Sequence, residues 1–175
     1  MVALKQPVII KRNYSRPLDR AAYLIAAGAG AGFAPVAPGT FGSAEGVIIY
    51  FAITALSFEP TTHLAILLIT GLLLFALGVW AASRACRISG LKDPGVIVID
   101  EVSGQLIGIA PLALSPSVAG AILAFLLFRF FDIFKPYPIN RLERLPSGLG
   151  VMSDDALAGV YTALLIYSGL LLGLI

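Results

Sequence analysis

HLAILLITGLLLFALGVWAAS, residues 63–83, holds no Asp, Glu, Lys or Arg from end to end. A helix that crosses a bilayer needs about 20 apolar residues, and this run supplies them. Four further stretches carry the pattern outward: residues 41–57 (FGSAEGVIIYFAITALS), 97–114 (IVIDEVSGQLIGIAPLAL), 117–134 (SVAGAILAFLLFRFFDIF) and 154–175. The stretch 97–114 is the most interrupted, with Asp100, Glu101 and Gln105 in its first half. Residues 21–37 (AAYLIAAGAGAGFAPVA) are small, Gly-rich and closed by Pro, which suits an interfacial or re-entrant segment. The expected fold is therefore all-α, a polytopic membrane helical bundle of about five spanning helices with short connections, plus that N-terminal segment.

Composition agrees. Of the 175 residues, 58% are hydrophobic and only 13% charged, against about 25% charged in soluble domains. The mean hydropathy is +0.93. Disorder, collagen and disulfide scaffolds are excluded on the same grounds. The single Cys86 can form neither an internal disulfide nor a cysteine zinc site. A net charge of +2 is too weak to point to nucleic acid. Residues 1–20 are basic, lack the apolar core of a cleavable signal, and read as a cytoplasmic tail. Residues 21–175 read as one membrane domain.

Basic residues orient the bundle. With five spans and a cytoplasmic N-terminus, segments 1–40, 84–96 and 135–153 and the adjoining span ends face the cytoplasm. They hold all twelve Lys and Arg, while the opposite loops, 58–62 and 115–116, hold none. That asymmetry is the positive-inside rule at full strength. A sixth span through 21–37 would move five positive charges to the wrong side.

The same orientation sorts the acids. Asp100 and Glu101 lie about one turn inside the span 97–114, Asp132 within a turn of the end of 117–134, and Asp154 and Asp155 open the last span with Ser153 as an N-cap. All five then sit at cytoplasmic helix ends at similar depth. Like charges so gathered cannot all stay ionised without protons or a cation. Oxygen ligands with no Cys or His suit a hard ion such as magnesium. Plain capping explains Asp154 and Asp155 alone; acids inside the apolar 97–114 stretch are costly and point to function.

Two further blocks stand beside the acids. Arg129, Asp132 and Lys135 are spaced along one helix face before Pro136 and Pro138 end the helix. An arginine there suits phosphate, although local ion pairing at a helix end uses the same residues. In PVAPGTFGS, residues 35–43, Pro38-Gly39 makes a turn, and Thr40, Gly42 and Ser43 open the next helix as a phosphate cradle or a simple cap. Glu45 is either a further ligand or a residue reaching back to the helix start. Other chemistries fall away: a cysteine phosphatase loop needs Arg where Lys92 stands, and the only histidine, His63, falls by the opposite loop. His63 is expected in a loop, and Cys86 as a small packing residue.

PVAPGTFGS, VIVIDEVSGQLI, FRFFDIFKPYPI and GVMSDDALAGV resemble, in order and spacing, the motifs of bacterial phosphatidylglycerophosphatase A, and together they cover most of residues 25–165. The resemblance implies a magnesium-dependent phosphatase of the bacterial inner membrane. It would hydrolyse the terminal phosphomonoester of phosphatidylglycerophosphate to phosphatidylglycerol on the cytoplasmic face. It carries the catalytic and metal-binding positions onto Asp100, Glu101, Asp132, Asp154 and Asp155. Its Pro-Gly-Thr block falls on Pro38, Gly39, Thr40, Gly42 and Ser43, and its basic positions on Arg129 and Lys135. Glu45 stands where an apolar residue is expected. The expected phosphate-binding set is thus Thr40, Ser43, Arg129 and Lys135, with water attacking directly because no D-x-D pair is present. Two rivals use the same acids: a cation or proton pathway, which should place acids at successive depths, and a lipid phosphotransferase, which differs in product.

Overall fold

The computed structural model describes residues 16–175, and every regular element in them is helical. Five of the first twenty residues, 16–20, are therefore described; the rest of the expected tail lies outside the described residues. Helix α1 (Pro17–Ala26) is followed by a 3-10 segment (Gly28–Phe33), then α2 (Pro38–Thr54), α3 (Pro60–Ser89) and α4 (Ile99–Ile109). A 3-10 turn (Ala110–Leu114) leads to α5 (Val118–Phe134), the short α6 (Ile139–Leu142) and α7 (Ser147–Leu171).

Local chemistry sets these ends. Proline stands in the first turn of α1, α2 and α3, where its missing N–H costs nothing. Helix α3 stops at Gly90, whose φ of 72° supplies the left-handed cap. Ser117 caps α5 by accepting from the Gly120 N–H at 3.0 Å. At the other end Lys135 adopts a φ of 44° and Pro136 follows, so α5 cannot continue.

Helix α4 is the centre of the bundle. Every residue of it except Glu101 is buried, with α2, α3, α5 and α7 packed around it. Small residues permit the close approaches. A Cβ on Gly159 of α7 would overlap the carbonyl of Gly104 on α4, and one on Gly104 would meet the Asp155 carbonyl at 2.5 Å. On the α2 side, a Cβ on Gly46 would stand 2.9 Å from the Gln105 Cβ. The Ser103 hydroxyl donates to the Gly71 carbonyl of α3 at 3.0 Å. Thus the glycines of the apolar stretches let polar α4 sit at backbone distance from its neighbours.

Two helices among the described residues, α3 and α7, are long and apolar enough to cross a membrane. The stretch 97–114 is not one long helix: 11 residues are α-helical, five more form the 3-10 turn, and neighbours enclose it. The outer surface is strongly apolar, with Leu72 and Leu73 of α3, Ile122 and Leu126 of α5 and Leu164 of α7 exposed. Within segment 21–37, α1 is only 10 residues long, and its buried Ala22 and Ala26 join the core.

Two local expectations are corrected. The last helix begins at Ser147, so Ser153 is inside it and caps nothing; Asp154 and Asp155 stand two turns in, at the start of its third turn. His63 is not a loop residue. It lies in the first turn of α3, is buried, and its Nε2 is 3.0 Å from the Leu56 carbonyl, which closes the α2–α3 connection. Cys86 is buried in the core cluster.

Candidate active site

The start of α4, the end of α5 and the first three turns of α7 meet at one end of the bundle around a cavity of about 320 Å³. All five expected carboxylates, Asp100, Glu101, Asp132, Asp154 and Asp155, line it together with Arg129 and Lys135. The Gly104–Gly159 contact explains why: it brings the α4 and α7 backbones close just beyond the acids, so Asp155 faces Asp100 and Glu101. One carboxylate oxygen from each of these three lies within 4.8 Å of the others.

Neighbouring groups divide the acids into two sets. Arg129 Nη1 is 2.7 Å from Asp132 Oδ2 and 3.9 Å from Glu101 Oε1. Lys135 Nζ is 2.6 Å from Asp154 Oδ2 and 3.8 Å from Glu143 Oε1. Asp132 and Asp154 are thus each held by a cation. Burial alone would lower the pKa of Lys135, but the hydrogen bond and charge of Asp154, with Glu143 behind it, hold it above the ordinary lysine range. Asp100 Oδ1 accepts the Glu101 N–H at 3.1 Å, and Asp154 Oδ1 accepts the Asp155 N–H at the same distance. Among the described residues, Asp100 and Asp155 have no ion-pair partner, and Glu101 has only the 3.9 Å contact with Arg129, which lies closer to Asp132.

That trio fits a divalent ion. It offers converging oxygens and no nitrogen or sulfur, and Glu101 Oε2 is buried without a hydrogen-bond partner. An orphaned carboxylate oxygen beside two further carboxylates is costly unless a cation or proton completes it. Magnesium suits such a donor set.

The Pro-Gly-Thr block is placed differently from a phosphate cradle. Gly39 lines the cavity, and a Cβ there would overlap the Glu101 carboxylate, so the position accommodates only glycine without movement. Thr40 and Ser43 do not line it. The Thr40 N–H is spent on the Ala37 carbonyl at 2.9 Å. Ser43 is buried, donates to the Gly39 carbonyl at 3.0 Å and accepts from Arg129 Nη1 at 3.3 Å. Its contact is with the arginine, which it steadies from behind. Gly42 is buried against Val98. Glu45 points away, toward the Gly28 turn, with its Oε2 buried and unpartnered.

Lys92, Asp93 and Glu143 also line the cavity. Sequence reasoning used Lys92 only as a topological charge and assigned no part to the other two. Asp93 precedes Pro94-Gly95, a turn beside the acidic stretch, and that was the available signal. Glu143 follows α6 and reaches the site only through the fold of the α5–α7 connection.

Residues 24–169 match the family model described as Phosphatidylglycerophosphatase A. A Bacteroides thetaiotaomicron protein named "Putative phosphatidylinositol-3-phosphatase" is 41% identical over 151 residues, covering 82% of this chain and 89% of the relative. Proteins named phosphatidylglycerophosphatase A from Haemophilus influenzae and Escherichia coli are 38% and 32% identical, each over 83% of this chain and over 86% and 81% of their own lengths. No solved structure matches the chain. With a matched stretch that contains every residue of the acidic cavity, the chain belongs to the phosphatidylglycerophosphatase A family, whose members are phosphatases acting on a phosphomonoester.

Proposed function

We propose that the chain hydrolyses the terminal phosphomonoester of phosphatidylglycerophosphate, releasing phosphatidylglycerol and inorganic phosphate at the cytoplasmic face of a bacterial inner membrane. The observation that carries the reading is the meeting of five carboxylates, Arg129 and Lys135 in one cavity at one end of the bundle. Helices α2, α3, α5 and α7, with α4 and its 3-10 extension among them, are the five membrane-crossing elements in this reading, and α1 lies along the interface. The apolar outer surface supports it, as does the absence of Lys and Arg from the sequence segments 58–62 and 115–116 that face the other side in this topology.

Asp100, Glu101 and Asp155 are the residues that would hold magnesium. The bound ion supplies positive charge that neutralises phosphoryl oxygens as charge builds in the transition state. Arg129, kept in place by Asp132 and Ser43, presents its guanidinium to the phosphate. Lys135 adds a second positive charge, its Nζ held 2.6 Å from Asp154 Oδ2. A carboxylate outside the trio, Asp132 or Asp154, takes the proton of the attacking water. The charged groups that line the cavity are held by ion pairs before substrate arrives, so stabilisation costs little reorganisation.

The clustering disfavours a cation or proton path, which needs acids at successive depths. The Bacteroides relative's name raises a second lipid, phosphatidylinositol 3-phosphate. Both lipids carry a phosphomonoester on a polyol that a phosphodiester joins to diacylglycerol. Phosphate release by the detergent-purified chain from each lipid separates them: faster turnover of phosphatidylglycerophosphate supports the proposal, and preference for the inositol lipid contradicts it.

A further inference from the structure

Beside the acidic cavity lies a second, shallower depression lined by Cys86, Arg87, Gly90, Leu91, Lys92 and Ser147. Lys92 and Ser147 line both, so the two are continuous. Their chemistry is opposite. The main cavity is lined by seven carboxylate residues, Asp93, Asp100, Glu101, Asp132, Glu143, Asp154 and Asp155, whereas the depression has two cations, Arg87 and Lys92, and no acid.

Of the three cations that line the main cavity, two are already engaged, Arg129 with Asp132 and Lys135 with Asp154. Among the described residues, neither Arg87 nor Lys92 has an ion-pair partner, and both are exposed. The segment that carries them is nevertheless held. Gly90 caps α3 with its N–H on the Cys86 carbonyl at 2.9 Å, Leu91 N–H donates to Ser89 Oγ at 3.1 Å, and Cys86 Sγ donates to the Lys92 carbonyl at 3.1 Å. Exposed Leu91 adds an apolar wall. A fixed backbone thus presents two unpaired cations and one apolar side chain next to the acids.

We propose that this depression is a second anion subsite, which binds the phosphodiester of a lipid headgroup while its phosphomonoester occupies the acidic cavity. The proposal rests on the reaction proposed above and adds a basis for selectivity to it. A headgroup with two phosphates separated by a polyol engages both concavities. Phosphatidic acid, whose only phosphate is the monoester, engages one. Lysine acts as a point charge on a flexible stem, and this tolerates a range of spacings between the two phosphates.

The test compares phosphatidylglycerophosphate with phosphatidic acid in neutral detergent micelles, using the full chain and Arg87→Gln, Lys92→Gln and double variants. The ratio of kcat/KM for the first lipid over the second is expected to fall about threefold to fivefold per substitution, the range of a solvent-exposed charge pair. The loss should lie in KM, and Lys92→Arg should restore most of it. Equal losses on both lipids would assign the cations to general attraction of anionic lipid and overturn the subsite, as would no loss on either. A binding arm uses Asp100→Asn protein and two soluble ligands, the deacylated headgroup glycerophosphoglycerophosphate and glycerol 3-phosphate. Selective loss of affinity for the first in the double variant supports the subsite, and parallel affinities contradict it. Failure of the wild-type chain to turn over phosphatidylglycerophosphate would defeat the proposed reaction, and the binding arm would still decide the subsite.

Discussion

Helices α3 and α4 pack against each other and are built on opposite terms. Helix α3 is the longest element and carries the charge-free run 63–83, yet Leu68, Ile69, Leu72, Leu73 and Leu77 of it are exposed. Helix α4 has 11 residues, is enclosed on all sides, and carries Asp100, Glu101, Ser103 and Gln105. In a water-soluble domain the most apolar helix would be central. Here the apolar helix faces outward and the polar one is enclosed, the arrangement expected when hydrocarbon is the outer solvent and function sits within. The contrast teaches that in such a chain the weakest hydrophobic stretch, not the strongest, marks the centre of the fold.

Substitutions at the enclosed acids and on the exposed face of α3 should therefore differ sharply. The largest effect belongs to the acids: Asp155→Asn should lower phosphate release by about 100-fold to 1,000-fold, the scale of losing a preorganised charge-stabilising group. Size-exclusion behaviour should remain that of wild type. A comparable rate in that variant would remove Asp155 from the catalytic set.

Next comes the joint that holds α4 to α7. Gly159→Ala places a Cβ against the Gly104 carbonyl, so the helices must part and the acids with them. Overpacking of this kind costs about 1–3 kcal/mol, and thermal unfolding in detergent should register it together with reduced activity. Leu72→Ala on the outer face of α3 is the matched control, with activity close to wild type.

Arg129→Lys keeps the charge but loses the planar guanidinium whose Nη1 reaches both Asp132 and Ser43. A loss of about tenfold in kcat/KM is expected from steady-state rates, on the scale of one charged hydrogen bond. The smallest effects belong to residues remote from the acids. His63→Ala should cost about 1 kcal/mol of stability through its lost bond to the Leu56 carbonyl, with turnover retained. Cys86→Ser should also retain turnover; an inactive serine variant would restore a thiol mechanism.

Much of this was legible in the residues. The acids of α4, α5 and α7 could be brought to one end because basic residues fix the orientation of apolar stretches. Helix type followed from the length of those stretches, while the extent of 97–114 did not, because Ala110–Leu114 tightens into a 3-10 turn. The start of α7 was missed for a related reason. Residues 147–153 (SGLGVMS) are rich in Gly and Ser and read as a loop, yet Gly148 and Gly150 are needed there. A Cβ on Gly148 would meet Val79 and Ser83 of α3 at 2.5 Å. Close packing overrode helix propensity. The role of Ser43 was hidden too, since its partner Arg129 is 86 residues away. Glu143 carried no local signal at all.

The most direct test of the account is phosphate release from phosphatidylglycerophosphate by purified wild-type and Asp100→Asn protein, each with magnesium and with excess EDTA. The account predicts release only by the wild type with magnesium, from two proteins with the same melting behaviour. Undiminished release by Asp100→Asn, or release that survives EDTA, would contradict a carboxylate-held cation at the start of α4.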